Sequence, residues 1–185
     1  MNKIFTRTGD AGVTGRYDGV RVPKNDPLIE VNGAIDECNS FIGVARSFIE
    51  DEHLREILKN IQNLLMVTGS EITNVKHDER LPALTEANVL ALEELIDELG
   101  AGLSHLNHFI LPAGGKASAH LHLARTASRK VERRLVSLCK KIDVNTTLLI
   151  WFNRLSDTLF VLARHAAKLS GQKDEVWINP RSHTE

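Results

Sequence analysis

The chain has 185 residues, 42% hydrophobic and 25% charged, and its 23 Lys+Arg against 24 Asp+Glu leave a formal net charge of −1. That length supports one core and one domain, and the near-neutral balance excludes a general nucleic-acid or membrane-surface binder, which would need a large basic excess. Cys38 and Cys139 lie far apart and in no CxxC pair, which excludes a disulfide scaffold or zinc knuckle and predicts buried free thiols. Neither a signal-peptide core nor an apolar run long enough to span a bilayer is visible, so a soluble, cytoplasmic protein is expected.

In chain order, residues 1–26 carry Gly, Thr, Asp and Arg without helical period and predict a loop-rich arm with room for a short hairpin. From Pro27, Val31, Ile35, Cys38, Ile42, Ala45 and Ile49 step by three and four, one face of a helix, with Asp26 as its N-cap. Leu54, Leu58, Ile61, Leu65, Thr68, Ile72 and Val75 mark a second helix over 52–75, followed by a polar connection from His77 to Pro82. A third begins at Thr85-Glu86, turns Val89, Leu92, Leu95, Ile96 and Leu99 inward, and ends at Gly100 and Gly102. After an irregular stretch over 100–116, a fourth helix is expected over 117–141 on Leu121, Ala124, Ala127, Val131, Leu135 and Leu138. A turn at Asp143 to Asn145 leads to a fifth over 147–170, on Leu148, Trp151, Leu155, Leu159, Leu162, Ala166 and Leu169, closed by Gly171. The expected fold is all-α, a five-helix bundle with ferritin-like up-down packing. It forms a single domain over 1–185: arm 1–26, bundle 27–170 and C-terminal tail 171–185.

The arm reads Thr6-Arg7-Thr8-Gly9-Asp10-Ala11-Gly12-Val13-Thr14-Gly15. Glycines let successive backbone N–H groups converge on an anion, Thr adds hydroxyl donors and Arg a charged fork. A phosphate cradle and a tight turn in a flexible arm both fit. It is not a P-loop, since the Gly115-Lys116 pair is preceded by Ile110 where that motif needs Gly and followed by Ala117. On the fourth helix Arg125, Arg129, Lys130, Arg133 and Arg134 surround the one carboxylate Glu132. Cations stacked on a helix face repel unless an anion lies among them, so the segment is an exposed basic face or a polyphosphate site. Asp36-Glu37 sits at the edge of the first helix's apolar face, where a carboxylate wants a cation. Asn153-Arg154-Leu155-Ser156-Asp157 interrupts an otherwise apolar helix. The histidines carry little: His105 and His108 flank a loop, and His120 and His122 point apart on a helix. The single Glu50-x-x-His53 falls short of the paired motifs of a di-iron bundle.

Thr6-Arg7-Thr8-Gly9-Asp10-x-Gly12-x-Thr14, Asp36-Glu37-x-Asn39-Ser40-x-Ile42-Gly43, Phe109-Ile110-Leu111-Pro112-Ala113-Gly114, Arg125-x3-Arg129-Lys130-x-Glu132-Arg133 and Asn153-Arg154-Leu155-Ser156-Asp157 follow one another in register. In that order the chain resembles the PduO-type ATP:cob(I)alamin adenosyltransferases from about Asn2 to Pro180. The resemblance implies a homotrimer with active sites between subunits, transferring the 5′-deoxyadenosyl group of ATP to Co(I) of cobalamin or another corrinoid and releasing triphosphate. It implies that Thr6, Arg7, Thr8, Gly9, Thr14, Gly15 and Lys24 wrap the triphosphate, and that Arg129, Lys130, Glu132, Arg133 and Asn153 line the nucleotide. Arg129, Asn153 and Phe109 would carry the reaction, Phe109 from the lower face of the corrin, and Asp36 of one subunit would pair with Arg125 of the next. Mg²⁺ would accompany ATP, held mainly by phosphate oxygens and water. A reductase and an adenosylcobalamin-dependent acceptor enzyme would be partners. Lys130 stands where the family usually has Arg, Ala113 where it has Gly, and Trp151 where Tyr is common. The competing class is a non-catalytic nucleotide- or cobalamin-binding helical module, a sensor or carrier.

Overall fold

A computed structural model describes residues 4–75 and 78–179. His77, the first residues of the arm and the tail beyond Asn179 lie outside the described residues. The arm forms a small antiparallel hairpin of β1 (Val13–Gly15) and β2 (Arg21–Pro23), paired Val13 with Pro23, Thr14 with Val22 and Gly15 with Arg21. Gly19 at φ 82° closes its turn, supported by Asp18 Oδ1 accepting from Val20 N at 3.1 Å. Five helices follow: α1 (Pro27–Ser47), α2 (Glu52–Thr73), α3 (Glu86–Gly100), α4 (Gly115–Leu138) and α5 (Thr146–Leu169).

The expected starts coincide with local capping chemistry. Asp26 accepts from Leu28 N at 2.9 Å, Asp51 from Leu54 N at 2.8 Å and Asn145 from Thr147 N at 3.0 Å. Helix α4 begins two residues earlier than its apolar spacing predicts. Gly114 is its N-cap at φ 94°, and Gly115, the first helical residue, stands at φ 90°. A Cβ on Gly114 would lie 2.7 Å from the Ala167 Cβ, so only glycine lets α4 start this close to α5. Ala113 does not share the left-handed conformation, so a side chain there meets no backbone cost. Helices α2 and α4 end short of the expected 75 and 141, because Asn74 turns back to bond Asp78 and the segment after Leu138 tightens into a turn.

The packing order is α2–α1–α4–α5–α3, with α4 between α1 and α5 at the centre. Helix α5 is apolar on most of its circumference, and Trp151, Phe152, Leu155, Leu159 and Leu162 are fully buried. Trp151 packs edge-on against Phe152, and its indole N–H has no partner among the described residues. Cys38 donates to the Ala124 carbonyl at 3.5 Å, and burial pushes its thiol up to about 12, which makes it an inert core group. Among the described residues no helix is long and apolar enough to cross a membrane.

Candidate active site

The central position of α4 decides where its cations go. Its inner residues, Leu121, Ala124, Ala127, Ser128 and Val131, are buried, so the polar residues emerge along its two flanks. On the α1 flank, Lys130 pairs with Glu37, and Arg134 pairs with Glu30 at 2.9 Å. On the α5 flank, Arg129 reaches Ser156 Oγ at 3.4 Å, and Asn153 Nδ2 donates to Glu132 Oε1 at 3.1 Å. The Arg133 guanidinium makes no hydrogen bond or ion pair with any described residue; the residue's carbonyl accepts from Ser137 Oγ at 3.2 Å. Arg129 and Arg133, one turn apart, therefore present two guanidinium groups with no carboxylate, whereas Arg154 on α5 is neutralised by Glu93 of α3 at 2.7 Å.

The arm presents a second set of donors. Thr6 and Thr8 share a hydroxyl hydrogen bond of 2.8 Å. Arg7 between them stands at φ 61°, a left-handed conformation that costs a non-glycine residue energy and is retained where the surroundings require it. Gly12 N donates to Gly9 O at 3.1 Å and Lys24 N to Gly12 O at 2.9 Å, while Arg21 donates to the Thr8 carbonyl. A Cβ on Gly9 would come within 3.3 Å of the Lys24 Cε and Nζ, so glycine leaves that ammonium room beside the turn. A cavity of about 510 Å³ joins Thr14 and Lys24 of the arm to Glu37, Lys130 and Arg134.

One chain thus places the sequence-predicted nucleotide residues in two groups. Thr14, Lys24 and Lys130 share the α1 flank, with Thr6 to Gly9 and Gly15 on the arm that reaches it. Arg129, Glu132, Arg133 and Asn153 lie on the other side, and no hydrogen bond links them to the arm among the described residues. Lys130, expected beside Arg129, is turned the other way because consecutive helical residues diverge by about 100°.

A third site lies at the start of α4. Phe109 is 81% exposed, in contact edge-on with the Trp177 ring at 6.4 Å, and opens a cavity of about 210 Å³ with Ile110, Pro112, His122, Arg125 and Phe160. Arg125 is half-buried and has no carboxylate partner among the described residues, and burial followed by the nearby Arg129 pushes its pKa down. Its Nε donates to His122 Nδ1 at 3.4 Å. Burial, then the charge of Arg125, pushes His122 down to about 4, so the imidazole is neutral and can accept that bond. Asp36 is exposed on α1 and makes no ion pair with a described residue. The chain does not pair it with its own Arg125.

Three participants escaped sequence reasoning. His122 carries no signal in its spacing from His120; the informative spacing is to Arg125, three residues on and on the same face. Arg164 and the tail segment with Trp177 are joined to the Phe109 loop by tertiary contacts that no local pattern announces.

Residues 4–166 match the family model described as cobalamin adenosyltransferase. The chain belongs to the cobalamin adenosyltransferase family. It is 37% identical over 182 residues to a corrinoid adenosyltransferase, MMAB, of Mus musculus, covering 95% of this chain and 77% of that protein. It is 39% identical over 166 residues to the corrinoid adenosyltransferase PduO of Salmonella typhimurium, covering 87% of this chain and 48% of that protein, so it spans about half of that relative. In structure it is similar to a variant PduO-type ATP:corrinoid adenosyltransferase from Lactobacillus reuteri complexed with cobalamin and ATP, with a TM-score of 0.90, 36% identity, and coverage of 96% of this chain and 100% of that one. The five-helix fold of this cobalamin adenosyltransferase family member agrees with the architecture expected from its sequence.

Proposed function

We propose that this chain catalyses transfer of the 5′-deoxyadenosyl group of ATP to the Co(I) of cobalamin or a related corrinoid, in a site completed between subunits of a homotrimer. The observation that carries the reading is the pair of guanidinium groups on α4, Arg129 and Arg133, left without a carboxylate beside an Asn153 already oriented by Glu132. Such groups suit a polyanion, and the arm supplies further donors from Thr6, Arg7, Thr8, Gly9, Thr14, Gly15 and Lys24. A neighbouring subunit's arm laid across the α4–α5 flank would bring together the two groups that a single chain keeps apart.

Co(I) is itself the nucleophile, so no side chain must act as nucleophile or general base. Its electron pair forms the Co–C bond to the 5′-carbon, giving formal Co(III), while the C–O bond breaks and its electron pair leaves with the triphosphate. The protein must align cobalt, carbon and leaving oxygen and stabilise charge growing on that oxygen. Arg129 and Arg133 take the second task, with Lys130 contributing a point charge once it parts from Glu37. Glu132 fixes the Asn153 amide so that its remaining donor and its carbonyl face the nucleoside. Mg²⁺ would accompany the ATP, held mainly by phosphate oxygens and water. Phe109, exposed and apolar, fits beneath the corrin, where it would keep water and the displaced base from the lower axial position and ease reduction to Co(I). Asp36 of one subunit would pair with Arg125 of the next. A reductase that delivers Co(I) and an adenosylcobalamin-dependent acceptor enzyme would be its partners, and use of ATP with a reductant fits a cytoplasmic enzyme.

The test is anaerobic incubation with MgATP and chemically reduced cobalamin, following loss of the Co(I) spectrum and release of inorganic triphosphate in equal amounts. Binding of both ligands without triphosphate would instead establish the non-catalytic carrier or sensor.

A further inference from the structure

Phe109 stands on a loop, 101–114, that has no helix or strand of its own, and its ring is mostly exposed. Something outside the loop must hold it. The C-terminal segment runs alongside: Leu111 N donates to Glu175 O at 2.7 Å, Trp177 N donates to Phe109 O at 2.8 Å, and Ile110 bridges Val176. This segment is in turn fastened by one side chain of α5. Arg164, only 8% exposed, donates from Nε and Nη2 to Asp174 Oδ2 at 3.0 and 2.8 Å, and from Nη2 to the Ser104 carbonyl at 2.7 Å. One guanidinium thereby ties the bundle, the beginning of the loop and the beginning of the tail segment. Lys168, one turn on, adds a bond to the Gly102 carbonyl at 2.6 Å.

We infer that Arg164, through Asp174 and Ser104, is a positioning residue for the corrin step, setting the height and tilt of Phe109 without itself reaching either substrate. The inference rests on the reading of Phe109 as the lower-face residue. Its physical basis is leverage. The Arg164–Asp174 pair, buried on the arginine side, is the last fixed point before Phe109 on both strands of the bridge, so loosening it frees both together, and a shift of about 1 Å at a reacting centre costs up to 100-fold in rate. An arginine is required because a lysine ammonium cannot span two acceptors in a fixed fork.

The experiment uses the full chain in three variants, Arg164→Gln, Asp174→Asn and Phe109→Ala, and the double variant Asp174→Asn with Phe109→Ala. Each is assayed from Co(II)cobalamin with a weak reductant and from pre-formed Co(I)cobalamin, with the KM for ATP measured alongside. The electron paramagnetic resonance spectrum of the enzyme–ATP–Co(II) complex reports the fraction of cobalt lacking a lower ligand. We expect Arg164→Gln and Asp174→Asn to lose about tenfold or more from Co(II), about threefold or less from Co(I), and to leave the ATP KM within about twofold, with fewer four-coordinate centres. In the double variant the losses from Co(II) should not add, because both changes act on one ring. Asp174→Asn keeps the test decisive if Arg164→Gln does not fold. Equal loss in both assays for Asp174→Asn, or additive loss with Phe109→Ala, overturns the positioning role while leaving Phe109 in place. Equal loss in both assays for Phe109→Ala overturns the lower-face reading and the inference with it.

Discussion

Replacing Asp36 with Asn keeps shape and a carbonyl acceptor while removing one charge, and the consequence is set by Arg125. That guanidinium is half-buried, its charged form is disfavoured by burial and by Arg129, and its only hydrogen bond among the described residues is a long one to the neutral His122. A group in that setting gains most from a carboxylate supplied by another subunit, because the isolated chain has already met part of its desolvation cost. Breaking a buried pair costs about 3–5 kcal/mol, and the partial exposure of Arg125 puts this one near the lower end. About 3 kcal/mol at each interface weakens association on the order of 100-fold. Sedimentation velocity across a dilution series should show Asp36→Asn dissociating at protein concentrations where the parent stays assembled, with adenosyl transfer falling in parallel. Exchanging the charges, Asp36→Arg with Arg125→Asp, should restore part of both. An Asp36→Asn protein that assembles and turns over like the parent would refute the pairing.

Other expectations follow from the same geometry. Arg129→Ala should raise the ATP KM or lower kcat by at least about tenfold, since a charge-assisted hydrogen bond contributes about 1.5–3 kcal/mol; steady-state kinetics with unchanged constants would remove Arg129 from the site. MgATP should slow tryptic cleavage of the arm at Arg7, Arg16 and Arg21, and equal cleavage with and without nucleotide would count against phosphate wrapping. Acid should destabilise the fold through His122, whose folded value of about 4 lies below the ordinary 6.5. The unfolded chain binds the extra proton between those limits, so stability falls as pH drops from 6.5 towards 4, by about 2–3 kcal/mol from this residue. His165, also pushed down by burial, acts with the same sign, so His122→Gln should flatten the acid limb of denaturant-derived stability without abolishing it. A slope identical to the parent's would mean that His122 titrates normally.

The helices were legible because their causes are local. Apolar residues at three-and-four spacing, Asp26, Asp51 and Asn145 at caps, and Gly171 at φ 71° determine where α1, α2 and α5 begin and where α5 ends. The start of α4 lies two residues before its apolar spacing because its cause is not local: Gly114 is dictated by the approach of Ala167 from another helix. The sequence likewise identified the cations of α4 as surplus, since charge counting needs no coordinates. Only the tertiary structure decided which flank each takes. Lys130 goes to Glu37 on α1 and Arg129 to Ser156 on α5, because α4 lies between those helices and neighbouring residues leave it in different directions. The tail shows the same limit. Residues 172–178 carry no periodicity, and their place beside Phe109 follows from hydrogen bonds to a loop some 65 residues earlier and from a buried arginine on α5. Sequence spacing encodes contacts within a turn or two of helix; it carries no distance between groups that only folding brings together.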